Sequence, residues 1–200
     1  MDKGTRHIAV FGAGGHGKVV VDAIERHPSM AVACVADDHP QAGARLLGHP
    51  VIGGREALLA ARAGIDAVIV AIGDNRARMA VARWLGEQGL SLTSVVHPAA
   101  VVAPSAAIGA GTLVMPGAVV NADARIGANA IVNSGAIVEH DCDVGDGVHI
   151  APGAVLCGGA SVGAATLVGA GAVVLPGVRL GASLLIKAGT VVARDMEAGE

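Results

Sequence analysis

Residues 113–132 read LVMPGAVVNADARIGANAIV, a stretch in which a branched aliphatic residue returns at every sixth position. The same period continues without a break from Val96 to Val192. A mostly small residue follows each aliphatic residue four positions later, and Gly, Asn or Asp is frequent just before the small one. This pattern predicts short strands joined by tight turns, with the aliphatic and small side chains pointing into a narrow prism.

The turn positions favour residues that tolerate a positive φ at little steric cost. They are Gly111, Gly117, Asp123, Asn129, Gly135, Asp141, Gly147, Gly153, Gly159, Gly171 and Gly177. Three hexads complete one triangular coil, so residues 96–191 hold about 16 hexads and a little over five coils. The stability of such a solenoid is roughly a sum of terms between neighbouring coils. The repeat therefore predicts a parallel β-helix.

The amino-acid composition limits the classes of molecule that we expect the protein to bind. Hydrophobic residues make up 52% of the chain, yet Phe11 and Trp84 are the only aromatic residues, so Val, Ala, Ile and Leu must build the core. Few aromatic side chains are available to stack on nucleic-acid bases, and a net charge of −3 gives no basic surface. No apolar run approaches the ~20 residues that span a bilayer. We expect neither a nucleic-acid nor a membrane partner.

The cysteines and the N-terminus indicate a cytoplasmic protein. Cys34, Cys142 and Cys157 are odd in number and lack the spacing of metal ligands, which favours reduced thiols. Cys142 takes an inward position of the repeat, where we expect it to be part of the core. The first residues are charged and contain no apolar block with a cleavage site, so we expect no secretory signal.

The first 96 residues have a different pattern, and we place the domain boundary between residues 96 and 97. A strand at 7–11 runs into the glycine-rich loop 12–17 and then a helix at 18–26. Further strands are predicted at 32–36, 67–72 and 92–96, and further helices at 55–63 and 76–87. This alternation predicts a Rossmann-like α/β domain with a parallel sheet.

The glycine-rich loop has three interpretations. Free N–H groups at a helix N-terminus suit a phosphate, and Asp37 or Asp38 lies about 20 residues further on, where an acid can bind a ribose hydroxyl. The ligand is then a nicotinamide dinucleotide or another nucleotide-linked molecule; the third interpretation is a purely structural tight turn. His16 lies within the loop and is placed to meet a ligand.

The hexad 138–143 has the sequence VEHDCD, which is more polar than the small and apolar hexads around it. His140 and Asp141 fall at its turn, and a histidine beside a carboxylate is a general base whose pKa the carboxylate adjusts. Asn133 lies in the preceding hexad and His149 in the following one, so we expect several polar groups to gather on the same pair of coils. The alternative is that exposed turns are polar without any chemical role.

The loop 12–17, combined with Asn133-Ser134-Gly135 and with residues 138–142, resembles the sugar O-acyltransferase, sialic-acid-type family across nearly the whole chain. Its relatives include acetyl-CoA-dependent N-acetyltransferases that act on nucleotide-linked 4-amino sugars in bacterial surface-glycan synthesis. The resemblance implies a left-handed β-helix, acetyl-CoA as co-substrate and a nucleotide-linked sugar as acceptor. We expect a homotrimer, because a triangular prism offers flat faces for packing.

The resemblance also implies residue roles. His140 matches the general base, and Asp141 matches the acidic neighbour that raises its basicity. His149 matches a residue that contacts acetyl-CoA, with Ala170 and Ala188 at backbone contacts to the cofactor. The positions that match contacts to the nucleotide sugar are Gly14, Gly15, His16, Asp37, Asp38 and Gly73. Asn133 is a further candidate for substrate binding, and no metal is implied.

The sequence departs from the family at two points. The family often has Glu where Asp141 stands, and the sequence reads to Glu200 without the Gly-Val-Pro-Ala-type ending of many hexapeptide acyltransferases. These departures leave open how closely the carboxylate approaches the base and how the coenzyme-A exit region is built.

Four alternatives to direct N-acetylation stay open; they differ in activity, in mechanism or in having no catalytic role. A zinc carbonic anhydrase on the same fold needs three histidines, whereas the solenoid adds only His97 at its entrance to His140 and His149. A cysteine acyl-enzyme, O-acetylation of sialic acid and a non-catalytic sugar-nucleotide scaffold are the remaining three. The nucleotide base and the sugar are not determined by the sequence.

Overall fold

The computed structural model describes residues 4–39 and 43–199. The chain forms two compact units, Met1–Pro98 and Ala99–Glu200. Within the described ranges, no helix is both long and apolar enough to cross a lipid bilayer.

The first unit is built on a three-stranded parallel sheet. Its strands are β1 (Arg6–Phe11), β2 (Met30–Ala36) and β5 (Ala67–Val70), in the order β2-β1-β5. A short antiparallel hairpin lies between β2 and β5 in the sequence, formed by β3 (Arg45–Leu46) and β4 (His49–Pro50). The helices are α1 (Gly15–Glu25), α2 (Arg55–Ala60) and α3 (Asn75–Glu87), with a 3-10 turn at Arg62–Gly64, and β6 is Val95–Val96.

The sequence predicted this alternation but misplaced several boundaries. Helix α1 begins three residues before the predicted start, because Gly17 fits inside its first turn against the β1 end. A Cβ at Gly17 would overlap the Gly12 carbonyl oxygen, so only glycine lets the helix start so close to the strand. The predicted helix 55–63 ends at Ala60 and continues as the 3-10 turn, and the hairpin β3–β4 was not predicted.

The second unit is a parallel β-helix of about five coils. Its two-residue strands are β7 (Val101–Val102), β8 (Ala107–Ile108), β9 (Leu113–Val114), β10 (Val119–Val120), β11 (Arg125–Ile126), β12 (Ile131–Val132), β13 (Ile137–Val138), β14 (Asp143–Val144), β15 (His149–Ile150), β16 (Val155–Leu156), β17 (Ser161–Val162), β18 (Leu167–Val168), β19 (Val173–Val174), β20 (Arg179–Leu180), β21 (Leu185–Ile186) and β22 (Val191–Val192).

These strands form three faces of a prism. Face 1 contains β9, β12, β15, β18 and β21; face 2 contains β7, β10, β13, β16, β19 and β22; face 3 contains β8, β11, β14, β17 and β20. Equivalent residues of successive coils pair in register, as Val120, Val138 and Leu156 do on face 2. Each of these three aliphatic residues is fully buried, which confirms the inward position of the repeat.

The turns between the faces have the backbone conformation that the sequence predicted. All eleven predicted turn positions have a positive φ. Ala165 and Ser183 also adopt φ 59° at equivalent turns, although neither residue type signals this conformation. The repeat therefore imposes the turn even where the local residue does not favour it.

The outward rows of faces 2 and 3 differ in chemistry. Face 2 presents an aliphatic side chain on every coil: Val101, Val119, Ile137, Val155, Val173 and Val191. At its two ends, Val101 is 62% and Val191 is 61% exposed. The outward row of face 3 is mixed and mostly polar: Ala107, Arg125, Asp143, Ser161 and Arg179. Of these two faces, face 2 therefore has the apolar outer surface.

Candidate active site

His140 lies on the turn that connects face 2 to face 3, between β13 and β14. The next residue, Asp141, has φ 60°, and this left-handed turn brings its carboxylate back to the imidazole. His140 Nδ1 and Asp141 Oδ2 are 2.7 Å apart. Because an ionised carboxylate only accepts hydrogen bonds, Nδ1–H is the donor, and in the neutral ring the lone pair is then on Nε2. The His140 side chain is 64% exposed.

The surroundings of His140 favour its protonated form. The hydrogen bond to Asp141 is the main cause that raises the pKa of His140 above its ordinary value, and the negative charges of Asp141 and Glu139 add to it. Glu139 is itself held by Asn121 Nδ2, which donates to Glu139 Oε2 at 2.8 Å. The imidazole therefore has the basicity and the fixed tautomer that a general base requires.

Gly158, one coil further on, makes room for the imidazole. A Cβ at Gly158 would lie 2.7 Å from both Cε1 and Nε2 of His140. The backbone of the two coils is joined at this point, because the Gly159 N–H donates to the His140 carbonyl at 2.9 Å. Among the described residues, no hydrogen bond uses the Gly158 N–H. The Gly158 residue, whose N–H is in none of these hydrogen bonds, thus packs next to the imidazole.

Asn133 and His149 form a second polar pair. The Asn133 Oδ1 accepts the Ser134 N–H at 2.8 Å, which orients the amide so that Nδ2 points to His149. Asn133 Nδ2 and His149 Nε2 are 3.0 Å apart, so Nδ2 donates and Nε2 accepts. His149 begins β15 on face 1, and Asn133 follows β12 on the same face.

The two polar pairs lie on opposite edges of face 2. His140 and Asp141 occupy the edge that face 2 shares with face 3, which we call the base edge. Asn133 occupies the edge that face 2 shares with face 1, which we call the cofactor edge, and Ala170 and Ala188 lie on the same edge in later coils. The two polar pairs lie on the same pair of coils, but within one chain the prism turns a corner between them.

The glycine-rich loop in the first unit is fixed by two contacts. Gly12 has φ 121°, and a Cβ there would lie 2.7 Å from the Ala71 carbonyl oxygen, so the β1 end packs closely on the β5 end. The Asp37 carboxylate accepts the Ala13 N–H at 2.7 Å with one oxygen and the His39 N–H at 2.8 Å with the other. Gly14 and Gly15 have open space where a Cβ would stand. Asp37 therefore braces a loop whose outer side can receive a ligand.

His16, within this loop, has a half-buried side chain close to Arg78. Burial, followed by the nearby positive charge of Arg78, lowers the pKa of His16 to about 4. Arg78 is fully buried on α3, and its guanidinium donates to the carbonyl oxygens of Ile72 and Gly73, each at 3.0 Å. Burial lowers the pKa of Arg78 to about 10, so it stays a cation at neutral pH. His16 is consequently a neutral imidazole at the loop.

Two cavities flank Asp37 at the carboxyl ends of the strands, where open α/β sheets bind ligands. One, of about 380 Å³, is lined by Gly14, Lys18 and Arg45 among others, and offers loop N–H groups and two cations. The other, of about 260 Å³, has apolar walls and includes Asp38 and Arg55. The predicted ligand residues of this unit therefore line or adjoin two neighbouring spaces, one cationic and one apolar.

Sequence reasoning missed Gly158, Arg55 and Arg78, and also the two cations of the larger cavity, Lys18 and Arg45. Gly158 was one glycine among many, although its position 18 residues after His140, one full coil, was a usable signal. Arg55 and Arg78 are ordinary helix residues in the sequence, and only their contacts distinguish them.

The cysteines do not form a disulfide or a nucleophilic site. All three cysteines are free thiols, and Cys142 is buried inside the β-helix as expected. Burial raises the pKa of the Cys142 thiol, which disfavours a thiolate nucleophile. In the described part of the chain, no group of three His, Cys, Asp or Glu side chains could hold a metal ion.

Comparison with known proteins gives the same fold and the same pair of domains. Residues 7–85 match the PglD N-terminal domain, and residues 123–158 match the bacterial transferase hexapeptide family of six repeats. The UDP-N-acetylbacillosamine N-acetyltransferase of Bacillus subtilis is 38% identical over 118 residues, covering 54% of this chain; the match spans 51% of that relative, about half its length.

Two solved structures are similar along almost their whole length. The acetyltransferase domain of PglB from Neisseria gonorrhoeae is 35% identical with a TM-score of 0.89, covering 98% of this chain and 95% of that one. The second structure is a histidine-to-alanine variant of the Caulobacter crescentus GDP-perosamine N-acetyltransferase in complex with CoA and GDP-perosamine. It is 42% identical with a TM-score of 0.90, covering 96% of this chain and 90% of that one. The chain belongs to the hexapeptide-repeat, acetyl-CoA-dependent sugar N-acetyltransferases that carry a PglD-type N-terminal domain.

Proposed function

We propose that this chain transfers an acetyl group from acetyl-CoA to the amino group of a nucleotide-linked sugar, with His140 as the general base. The observation that carries the proposal is the 2.7 Å contact of His140 Nδ1 with Asp141, which leaves Nε2 of this exposed side chain with the lone pair that accepts a proton. The relatives that act on bacillosamine and perosamine nucleotides support an amino sugar as acceptor and a place in bacterial glycan synthesis.

The chemistry proceeds by direct attack. His140 Nε2 takes a proton from the acceptor amine as the nitrogen bonds to the thioester carbonyl carbon. The N–H of Gly158, the residue that packs next to the imidazole, donates to the oxyanion of the tetrahedral intermediate. The C–S bond then breaks, and the His140 imidazolium returns the proton to the leaving sulfur. No residue of the chain becomes acylated in this scheme.

A threefold assembly unites the two edges of face 2. If the apolar row of face 2 faces the threefold axis, the base edge of each chain meets the cofactor edge of the next, because the contacts are head-to-tail. The exposed Val101 and Val191 are then covered by copies of the chain. His140 of one chain would share a site with Asn133 and His149 of its neighbour, and Ala170 and Ala188 would line the same cleft.

Subunit mixing tests this shared site. The variants His140→Asn and His149→Ala are each expected to be poorly active when pure. In trimers assembled at random from equal amounts, about one quarter of the sites pair two intact edges and regain activity. A site contained in one chain would gain nothing from mixing. Light scattering should report about three times 19.5 kDa, and a fully active monomer would contradict the proposal.

We assign acceptor binding to the first unit and the acetyl transfer to the second. Gly14 and Gly15 offer open backbone to a diphosphate, with Lys18 nearby as a counter-charge, and Gly73 lies on the neighbouring loop. His16 belongs to the same loop, and we propose that its neutral ring contacts the sugar part. The three free thiols fit a reducing compartment, and we propose the cytoplasm.

Radioactive acetyl transfer from acetyl-CoA to a panel of nucleotide-linked amino sugars is the direct test. Label retained after mild alkaline hydrolysis indicates an amide, whereas labile label indicates an ester and so the alternative of O-acetylation of a sialic-acid-type sugar. Binding of nucleotide sugars with no acetyl transfer to any of them would favour the scaffold function instead.

A further inference from the structure

The smaller cavity of the first unit has a volume and a mixed lining that suit an aromatic heterocycle. Its volume is about 260 Å³, and Phe11, Ile72 and Val81 supply apolar walls. It adjoins the cationic cavity that contains Gly14 and Lys18, with Asp37 shared between the two. A nucleoside diphosphate can therefore place its phosphates in one space and its base in the other. This step rests on the proposed function.

Asp38 and Arg55 form an ion pair in this cavity, whose lining also includes Asp37 and His39. Arg55 Nε donates to Asp38 Oδ2 at 3.0 Å, and the guanidinium lies 4.8 Å from the centre of the Trp84 ring. These two contacts hold Arg55 in place. Asp38 Oδ1 accepts no hydrogen bond from any residue that the structure describes. Asp37, in contrast, has both oxygens bound to backbone N–H groups. Asp38 is thus the carboxylate available to a ligand.

We propose that Asp38 and Arg55 select guanine, so that the acceptor is a GDP-linked amino sugar. The Watson–Crick edge of guanine has one acceptor, O6, followed by two donors, N1–H and N2–H. A carboxylate that accepts both donors, with a guanidinium N–H directed at O6, matches this edge in full. The ion pair between Asp38 and Arg55 presents these complementary groups side by side.

The other bases match this pair less well. Uracil and thymine have O4 and N3–H in the same arrangement, but their third group is the O2 acceptor, which repels a carboxylate oxygen. Adenine and cytosine present a donor first and an acceptor second, which opposes both members of the pair. A site built to hydrogen-bond a polar group discriminates strongly against an analogue that lacks it.

Calorimetry with nucleoside diphosphates tests the proposal on the whole chain. GDP should bind at least ~10-fold more tightly than UDP, dTDP or ADP. Inosine diphosphate differs from GDP only by the missing 2-amino group, and should bind ~10-fold more weakly. Equal affinity for GDP and inosine diphosphate, or tighter binding of UDP, dTDP or ADP, would overturn the guanine assignment.

The variant Asp38→Asn has a matched control. Asp22 pairs with Arg26 Nε at the same 3.0 Å distance, but on helix α1 and outside both cavities. Asp38→Asn should reduce the preference for GDP over UDP at least ~10-fold, while Asp22→Asn should leave it unchanged. An unchanged preference in Asp38→Asn would also overturn the proposal.

The outcomes for the guanine assignment and for the proposed function are distinguishable. Tight UDP binding with acetyl transfer to a UDP-linked amino sugar would reject guanine and leave the proposed function standing. If no nucleoside diphosphate bound, both would be wrong. If coenzyme A, and not GDP, lost affinity in Asp38→Asn, the cavity would belong to the co-substrate.

Discussion

His140 and His16 lie in different units, and their environments shift their pKa values in opposite directions. His140 is on an exposed turn, and the hydrogen bond to Asp141 raises its pKa. His16 lies within the glycine-rich loop, and the burial of its side chain lowers its pKa to about 4. A bound carboxylate favours imidazolium, whereas loss of water favours the neutral ring. The β-helix thus makes a proton acceptor, and the α/β unit makes a neutral hydrogen-bonding group.

The largest expected effect comes from removing the base. His140→Asn should lower kcat by ~10²–10⁴, the usual contribution of a general base, with the fold and the binding of coenzyme A retained. Steady-state kinetics with circular dichroism would check both parts. A wild-type rate above pH 8, where free amine is more abundant, would mean that another residue is the base.

His16 should make the free energy of unfolding depend on pH. Because the folded pKa of His16 lies below the unfolded value of 6.5, the unfolded state binds more protons at intermediate pH. Stability is therefore full above about pH 6.5 and falls as the pH drops toward 4, by at most ~3 kcal/mol. Denaturant titrations of ligand-free His16→Gln should show a smaller loss over this window. The exposed His7→Gln is the control and should keep the wild-type slope.

Gly158 is expected to position His140. A Cβ at Gly158 would meet the ring, so Gly158→Ala should displace the imidazole and lower kcat by ~10–10². Gly86→Ala is a suitable control, because nothing lies within 4 Å of a Cβ at Gly86. A displaced base should alter kcat and the pH profile while the KM for the acceptor stays near normal. Unchanged kinetics in Gly158→Ala would show that the ring has no need of this space.

Substitutions in the two units should weaken the binding of different substrates. Gly14→Val places a side chain where we expect phosphate, and should raise the KM of the nucleotide sugar ~10-fold with little change for acetyl-CoA. His149→Ala should do the reverse. Calorimetry with a nucleoside diphosphate and with coenzyme A reports the same contrast without turnover. Loss of coenzyme A binding in Gly14→Val would place the co-substrate in the first unit.

The smallest effect is expected for the partner of the base. Asp141→Asn should lower kcat less than His140→Asn does, within ~10-fold. Because Asp141 raises the pKa of His140, its removal should move the acid limb of the pH–rate profile to lower pH. A limb that stays in place or moves to higher pH would contradict the role of the carboxylate.

Much of the β-helix was predictable, because each repeat position recurs many times and errors at single residues cancel. The inward aliphatic residues, the positive φ at the eleven turns and the inward position of Cys142 all followed from the period. The first unit was less predictable. Its short hairpin β3–β4 has no repeated pattern, and the early start of α1 depends on a close approach of two glycines in space.

The sequence by itself determined the class of chemistry, since a histidine beside a carboxylate interrupts an otherwise apolar repeat, and a glycine-rich loop joins a strand to a helix. Only the tertiary structure decided which of these groups meet. His140 and His149 are nine residues apart, yet they lie on different sides of the prism, whereas Gly158 lies beneath the His140 ring. Spacing along a chain fixes the position within a coil, but contacts arise from stacking between coils and from turns between faces.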